Sequence, residues 1–429
     1  MRQFRTLLGY EIKKIFCRKS TWITFAVLLS AYLFSLIMTW SMTYKSVSKE
    51  QDDSGKVVSE EWKESYAQKK AREKENGLYW SGRKIDNALL ADAAKEYREV
   101  MEKTDMDMVE GIGRHEYFSK EMDRFRVLEN VLESLTGETG DLLAQAYDSQ
   151  DRTELTAEKI YEARDVQVKK RQEAYGLTKK ECSYWQQKEE LLSKPFTYQY
   201  SEGFYQLISM NGVYMIVLFS GFQLAVVVSR IFAEEHQRGL DQLILCSRFG
   251  RGRLYFAKIA AGILFALLAV AVMSGIHMLV NFAIFGMDGF SAAIQLIAGW
   301  YSYPLSVGRI LFIMLGICFL ASVLTSIFIM VISEKFRSSM AGMAAAIAII
   351  GAARLITVPR EFRILSQIWN YFPINLLKLD QGFLDVRLVS VFGGKMTSWQ
   401  FAPILYLFLG ILLVLMGKRC YCRCQVQGR

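Results

Sequence analysis

From Thr21 to Met42 the chain carries no charged side chain, and Arg18, Lys19 and Lys45 bound the run. Five more runs of this kind follow: Gly203 to Ser229, Ile259 to Met287, Ile310 to Ser333, Ser338 to Ala353, and Met396 to Gly417. A helix needs about 20 mostly apolar residues to cross the hydrocarbon core of a bilayer. Within that core a backbone must satisfy its own N–H and C=O groups, which a helix does internally. The runs therefore predict six transmembrane helices. The first is too long for the apolar segment of a cleaved signal peptide and reads as a retained signal-anchor. Arg354 closes the fifth run, where its long side chain can snorkel to the interface.

Lysine and arginine in the flanks set the orientation. They collect in four segments: Arg2 to Lys19, Arg230 to Lys258, Glu334 to Arg337, and Lys418 to Arg429. Together these hold 18 basic residues against five acidic ones, Glu11, Glu234, Glu235, Asp241 and Glu334. The segments alternate correctly for one side of the membrane. Both termini are expected in the cytoplasm, and residues 43–204 outside it. That block is a different kind of polymer from the rest, with 27 Lys+Arg against 34 Asp+Glu, while the remainder has 25 against 9. The basic excess thus lies beside the apolar runs, which membrane orientation explains better than nucleic-acid binding. Long polar domains translocate largely regardless of their charge.

Five prolines in 429 residues suit long helices. Inside the polar block Phe118, Met122, Phe125, Leu128, Leu132 and Leu135 recur at steps of three and four, one stripe on a helix. Gly176 reads as a helix stop, and Thr178 with Glu181 as a capping box opening the next helix. Apolar residues are sparse between Ser46 and Glu60, where fraying is expected. Residues 1–20 place Phe4, Leu7, Leu8, Ile12, Ile15 and Phe16 on one side and most of the charge elsewhere, the pattern of a basic amphipathic helix lying in the headgroup layer. The apolar stretches 290–307 and 364–377 fall on the outer side as re-entrant or interfacial pieces, with an extra span as the alternative for each. The expected fold is an all-α polytopic membrane protein with a large extracytoplasmic α-helical domain inserted after the first helix. Its parts are an amphipathic helix over 1–20, a first span at 21–42, the domain at 43–204, a second span at 205–229, a cytoplasmic loop at 230–258, four spans within 259–417, and a tail at 418–429.

Catalytic signatures are missing. The nearest approach to a phosphate-binding loop, Gly77 to Lys84, has Arg83 where the lysine belongs. His115-Glu116 opens like a zinc-protease helix, but Ser119 occupies the second histidine position. The chain has three histidines, His115, His236 and His277, and no G-x-S-x-G elbow. Of seven cysteines Cys182 alone falls in the polar block, so no disulfide staples that block internally. Cys420, Cys422 and Cys424 lack the histidine or second CxxC of a zinc site. We expect no metal and no cofactor. The candidate pathway residues within the membrane are Asn211, Gln223, His277 and Asn281; they line a substrate path or hydrogen-bond between packed helices.

The segment between the second and third runs carries the most information. Glu234 and Glu235 continue the helix, Gly239 permits a break, and Leu240, Leu243 and Ile244 form a short amphipathic helix. Arg248, Arg251 and Arg253 then meet the headgroups. A short apolar-faced helix on a charged loop is a docking feature for another protein. The loop resembles the signature of ATP-binding-cassette exporter permeases of the type 2 class: an acidic residue, three residues, Gly-Thr, a Leu-rich helix, Ser-Arg and a later Lys. Glu235, Gly239, Leu243, Leu245, Ser247, Arg248 and Lys258 stand at those positions, with Leu240 in place of the threonine and no proline before the arginine.

The resemblance implies half of a translocation pathway, a homodimer or heterodimer with a related permease, and a separate ATPase that binds the ATP. Coupling falls to Glu234, Glu235, Gly239, Leu243, Ile244 and Arg248, with a hydrophobic or amphipathic cargo and a bacterial plasma membrane as the setting. From another class comes a membrane-anchored sensor or scaffold whose outer domain binds a ligand or partner.

Overall fold

The computed structural model describes residues 2–41, 43–51, 57–105, 112–139, 142–143, 155–209, 212–240, 243, 246–247, 250, 252–391 and 393–422. The chain forms two compact units. One comprises Met1–Tyr32, Gln206–Ala283 and Leu311–Arg429, the other Leu33–Tyr205 with Ile284–Ile310. We call them the apolar and the polar unit.

The chain starts with α1 (Arg2–Phe16) and α2 (Lys19–Trp40). An antiparallel hairpin follows, β1 (Thr43–Gln51) with β2 (Val57–Ser65), in register from Thr43↔Ser65 to Gln51↔Val57. This corrects the expectation of a frayed helical entrance to the polar block. Ladder hydrogen bonds come from the backbone and need no apolar stripe, so scarce apolar residues were a poor guide. Ser65 caps α3 (Tyr66–Trp80), with Gln68 reaching back to the Ser65 N–H at 3.0 Å.

The core of the polar unit is built on α4 (Asn87–Asp105), α5 (Ile112–Thr136) and α6 (Ala157–Ala174). Phe125, Leu128, Leu132 and Leu135 of α5 are all buried, and Met122 is packed against them. Five members of the sequence stripe thus face one core with Trp80, Ile85, Leu89 and Tyr97; the Phe118 side chain lies outside the described set. Trp80 donates to the Arg124 carbonyl at 2.7 Å, which satisfies its buried indole N–H. Gly176 ends α6 with φ +57°, and the Glu181 carboxylate accepts the Thr178 N–H at 2.8 Å to open α7 (Lys179–Glu189).

The stretch 290–307 belongs to this unit. It folds back on itself through an Ala293↔Ser306 bridge, puts Leu296 into the core, and sets Tyr301 5.4 Å from Trp185. Gln295 donates to the Tyr301 and Tyr303 carbonyls at 3.0 and 2.8 Å and so holds the turn closed. It is no span.

The apolar unit holds the long helices. After α8 (Glu202–Ile208), Gly212 leads into α9 (Val213–Val228); a Cβ there would lie 1.7 Å from the Leu207 carbonyl oxygen, so the break needs glycine. The second long helix thus starts later than the uncharged run does, and it continues past Ser229 through α10 (Arg230–Gln237). Then come α11 (Arg253–Phe285), α12 (Val307–Lys335), α13 (Ser339–Leu355), the short α14 (Arg363–Asn370) and α15 (Pro373–Leu376), a hairpin of β3 (Val389–Val391) with β4 (Gly394–Met396), and α16 (Ser398–Cys422).

Among the described residues four helices are long and apolar enough to cross a membrane: Val213–Gln237, Arg253–Phe285, Val307–Lys335 and Ser398–Cys422. Two apolar helices are shorter, Lys19–Phe34 and Ser339–Leu355. The protein is therefore a polytopic, largely helical membrane protein with a substantial further helical unit. The stretch 364–377 is split between α14 and α15 and is too short to span. Small residues let the helices approach: Gly262 of α11 abuts Met330 of α12, and Ser326 donates to the Gly262 carbonyl at 3.0 Å.

Candidate functional site

The base of the apolar unit is organised around Lys258, in the first turns of α11. Its side chain is fully buried, yet its ammonium group meets three acceptors: Glu235 Oε1 at 2.7 Å, the Ile231 carbonyl at 2.9 Å and Glu11 Oε2 at 3.5 Å. An ammonium group has three N–H donors, and each has a partner here. The Phe232 ring lies 5.4 Å from the same nitrogen. Glu235 and Glu11 are themselves buried, so each carboxylate needs its cation.

Lys14 completes the arrangement, bonding Glu11 at 3.0 Å and Glu235 at 3.3 Å. Two lysines and two glutamates from three helices alternate in one neutral group. Partial burial works against the Lys14 charge, but Glu11 and Glu235 outweigh it and hold its pKa above the ordinary value of 10.5.

Further contacts radiate from α10. Arg18 pairs with Glu234, which also takes Arg238 at 2.5 Å. His236 Nε2 lies 2.9 Å from Glu334 near the end of α12. Gln237 reaches Ser339 at the start of α13 at 3.5 Å. An aromatic trio closes the rear: Phe232, Tyr255 of α11 and Tyr421 of α16 have ring centroids 5.5 to 5.7 Å apart. Tyr255 donates to the Val414 carbonyl at 2.7 Å, which fixes α16 to α11. Below them Ile15 is buried in the helix core, and Phe16 meets Phe265 at 5.9 Å. The one-sided apolar pattern of α1 is thus spent against the bundle.

Immediately after this hub the chain turns. Gly239 has φ +67° with nothing within 4 Å of a Cβ, so its requirement is conformational, not steric. Leu243, four residues on, is 73% exposed. Ile244 and Arg248 lie outside the described residues. The arrangement joins α1, α10, α11, α12, α13 and α16, and the exposed leucine follows α10 in the chain.

The polar residues inside the bundle are placed as follows. His277 Nδ1 lies 2.9 Å from the Tyr32 hydroxyl, a contact between α11 and α2. Asn281 donates to the His277 carbonyl one turn earlier at 2.9 Å. Gln223 is buried on α9, and Asn211 falls outside the described residues. No group of three or more His, Cys, Asp or Glu side chains suited to a metal occurs among the described residues.

Sequence reasoning singled out Glu234 and Glu235 but missed Glu11, Lys14, Arg18, His236 and Glu334 as parts of one cluster. A signal was present. Four of the five acids on the basic flanks meet here, and an acid kept among so many cations has a specific partner. No family model, no curated protein and no solved structure matches the chain.

Proposed function

We propose that this chain is the membrane-spanning permease subunit of an ATP-binding-cassette exporter. It has six spans, the two shorter apolar helices completing the set, cytoplasmic termini and the polar unit outside a bacterial plasma membrane. Two copies, or this chain and a related one, enclose the pathway, and each recruits a separate ATPase. The chain itself hydrolyses nothing, in keeping with its lack of a phosphate loop.

The observation that carries this reading is the buried Lys258 group on the two helices that flank the loop carrying an exposed Leu243. A subunit driven from outside must receive force on a small surface and pass it to many helices together. Leu243 offers an exposed apolar side chain on the loop that follows α10, and the hub ties α1, α10, α11 and α12 through paired charges, with α13 and α16 held by neutral hydrogen bonds. Displacing α10 without moving α1 and α11 would break buried ion pairs at a cost of several kcal/mol, so these helices move as one. Cargo that is hydrophobic or amphipathic suits a bundle whose long helices are largely apolar.

The test is the Leu243→Asp/Ile244→Asp variant. Loss of ATPase association with unchanged expression and monodispersity is expected; association that survives intact removes the docking assignment.

One observation favours the sensor reading as a second possibility. The polar unit has a cavity of about 440 Å³ whose lining includes Lys70, Glu73, Asn130, Tyr198 and Glu202. Specific ligand uptake at that cavity by the full chain, with no transport in vesicles, would favour a sensor.

A further inference from the structure

A second feature of the apolar unit has no part in the hub. A groove of about 700 Å³ runs between α9, α13, α14 and α16, walled by Val217, Gly221, Ile350, Ala353, Ile368 and Leu409 among others. Its lining is almost wholly apolar, and its volume is that of a small-molecule site. Its rim includes Ile364 and Ile368, which are 75% and 57% exposed.

Charge gathers at one end. Arg354 follows Ala353 directly, and Lys378 donates to the Ala353 carbonyl at 3.5 Å. Both cations approach the Tyr214 ring, Arg354 at 5.8 Å and Lys378 at 5.9 Å from its centroid. Tyr214 precedes Val217 and Gly221 by three and seven residues and so shares their face of α9. It is fully buried, and its hydroxyl has no hydrogen-bond partner.

What distinguishes this end is the absence of an acid. Arg354 is exposed and Lys378 half-buried, so both can be reached from outside the chain. Among the described residues neither Arg354 nor Lys378 has a carboxylate within 4 Å. Burial first and the neighbouring Arg354 second push the Lys378 pKa below its usual value, as expected of a cation beside another with no anion between them. Two cations and a spare hydroxyl at the end of an apolar groove complement a molecule that is anionic at one end and aliphatic along its length.

We propose that the groove holds one acyl chain of an anionic bilayer lipid, with its phosphate between Arg354 and Lys378 and the Tyr214 hydroxyl as a further donor. This site stands independently of the ATPase reading. It needs only the membrane setting that the long apolar helices supply.

Native mass spectrometry of the full chain tests it, in mild detergent with equimolar phosphatidylglycerol and phosphatidylcholine of matched chains. One phosphatidylglycerol per chain is expected to be retained, with at least a tenfold preference over phosphatidylcholine. Arg354→Gln/Lys378→Gln should bring the preference below twofold, while Arg354→Lys/Lys378→Arg keeps it. Ile368→Trp, at an exposed rim position, should lower occupancy with both cations intact, and it decides the matter if the neutralised variant does not elute as a single species. Excess inorganic phosphate should displace nothing. Equal retention of the two lipids, a preference that survives neutralisation, displacement by phosphate alone, or a lipid-free dimer seated on the groove would each overturn the proposal.

Discussion

Lys258 shows how one residue can be required by its surroundings. Removing it leaves Glu11 and Glu235 buried and short of a cation, and breaking such a pair costs about 3–5 kcal/mol. Lys258→Met should therefore lower the midpoint of thermal unfolding in detergent by several degrees. The Glu235→Gln/Lys258→Met double variant should cost at least about 1 kcal/mol less than the two single changes summed, because the two residues are in contact. Lys14→Met should cost about 1 kcal/mol or less, since its side chain is 50% exposed and water screens the pairs it makes. The sign of its pH dependence follows from a raised pKa: the contribution is complete below 10.5 and fades as pH climbs through the higher folded value.

In the polar unit Glu189 runs the other way. Burial favours its neutral form, but hydrogen bonds and charge from Arg164 outweigh that and hold its pKa below 4.5. Its contribution is present above pH 4.5 and is lost as pH falls through the folded value. Circular dichroism of the full chain during acid titration should show Glu189→Gln with a flatter response in that window. At neutral pH the same change costs about 3 kcal/mol, because Arg164 is fully buried.

Among the elements, α1 and the turn at Gly239 carry the sharpest expectations. Ile15 is buried in the helix core, so Ile15→Ala should destabilise by about 2–4 kcal/mol. Exposed residues on α1 such as Tyr10 should tolerate replacement. Gly239→Ala meets no steric obstacle and costs only the left-handed backbone penalty of about 1–2 kcal/mol, visible as weaker partner association more than as lost fold. The elements differ in how far the sequence revealed them. The long apolar helices, the α5 stripe, the Gly176 stop and the Thr178–Glu181 cap were legible, because each depends on residues a few positions apart. The β1–β2 hairpin was not, since its strands pair through backbone groups and show no periodic apolar face. Nor was the place of 290–307, whose apolar residues fill the polar unit's core. The ion pairs of the hub link residues up to 247 apart, and charge scarcity hinted at them without fixing who meets whom.

At the scale of the whole molecule, paired charges at the hub and unpaired cations at the groove mark two different uses of charge in an apolar bundle. At the hub the charges neutralise one another and tie α1, α10, α11 and α12 together. At the groove they are left open, which invites an anion from outside the chain. The measurement that bears most directly on the central claim is affinity purification of the tagged full-length protein in mild detergent, from cells making all its native partners, with mass spectrometry of what accompanies it. The account predicts a stoichiometric ATP-binding-cassette ATPase. A clean preparation containing the chain alone would contradict it.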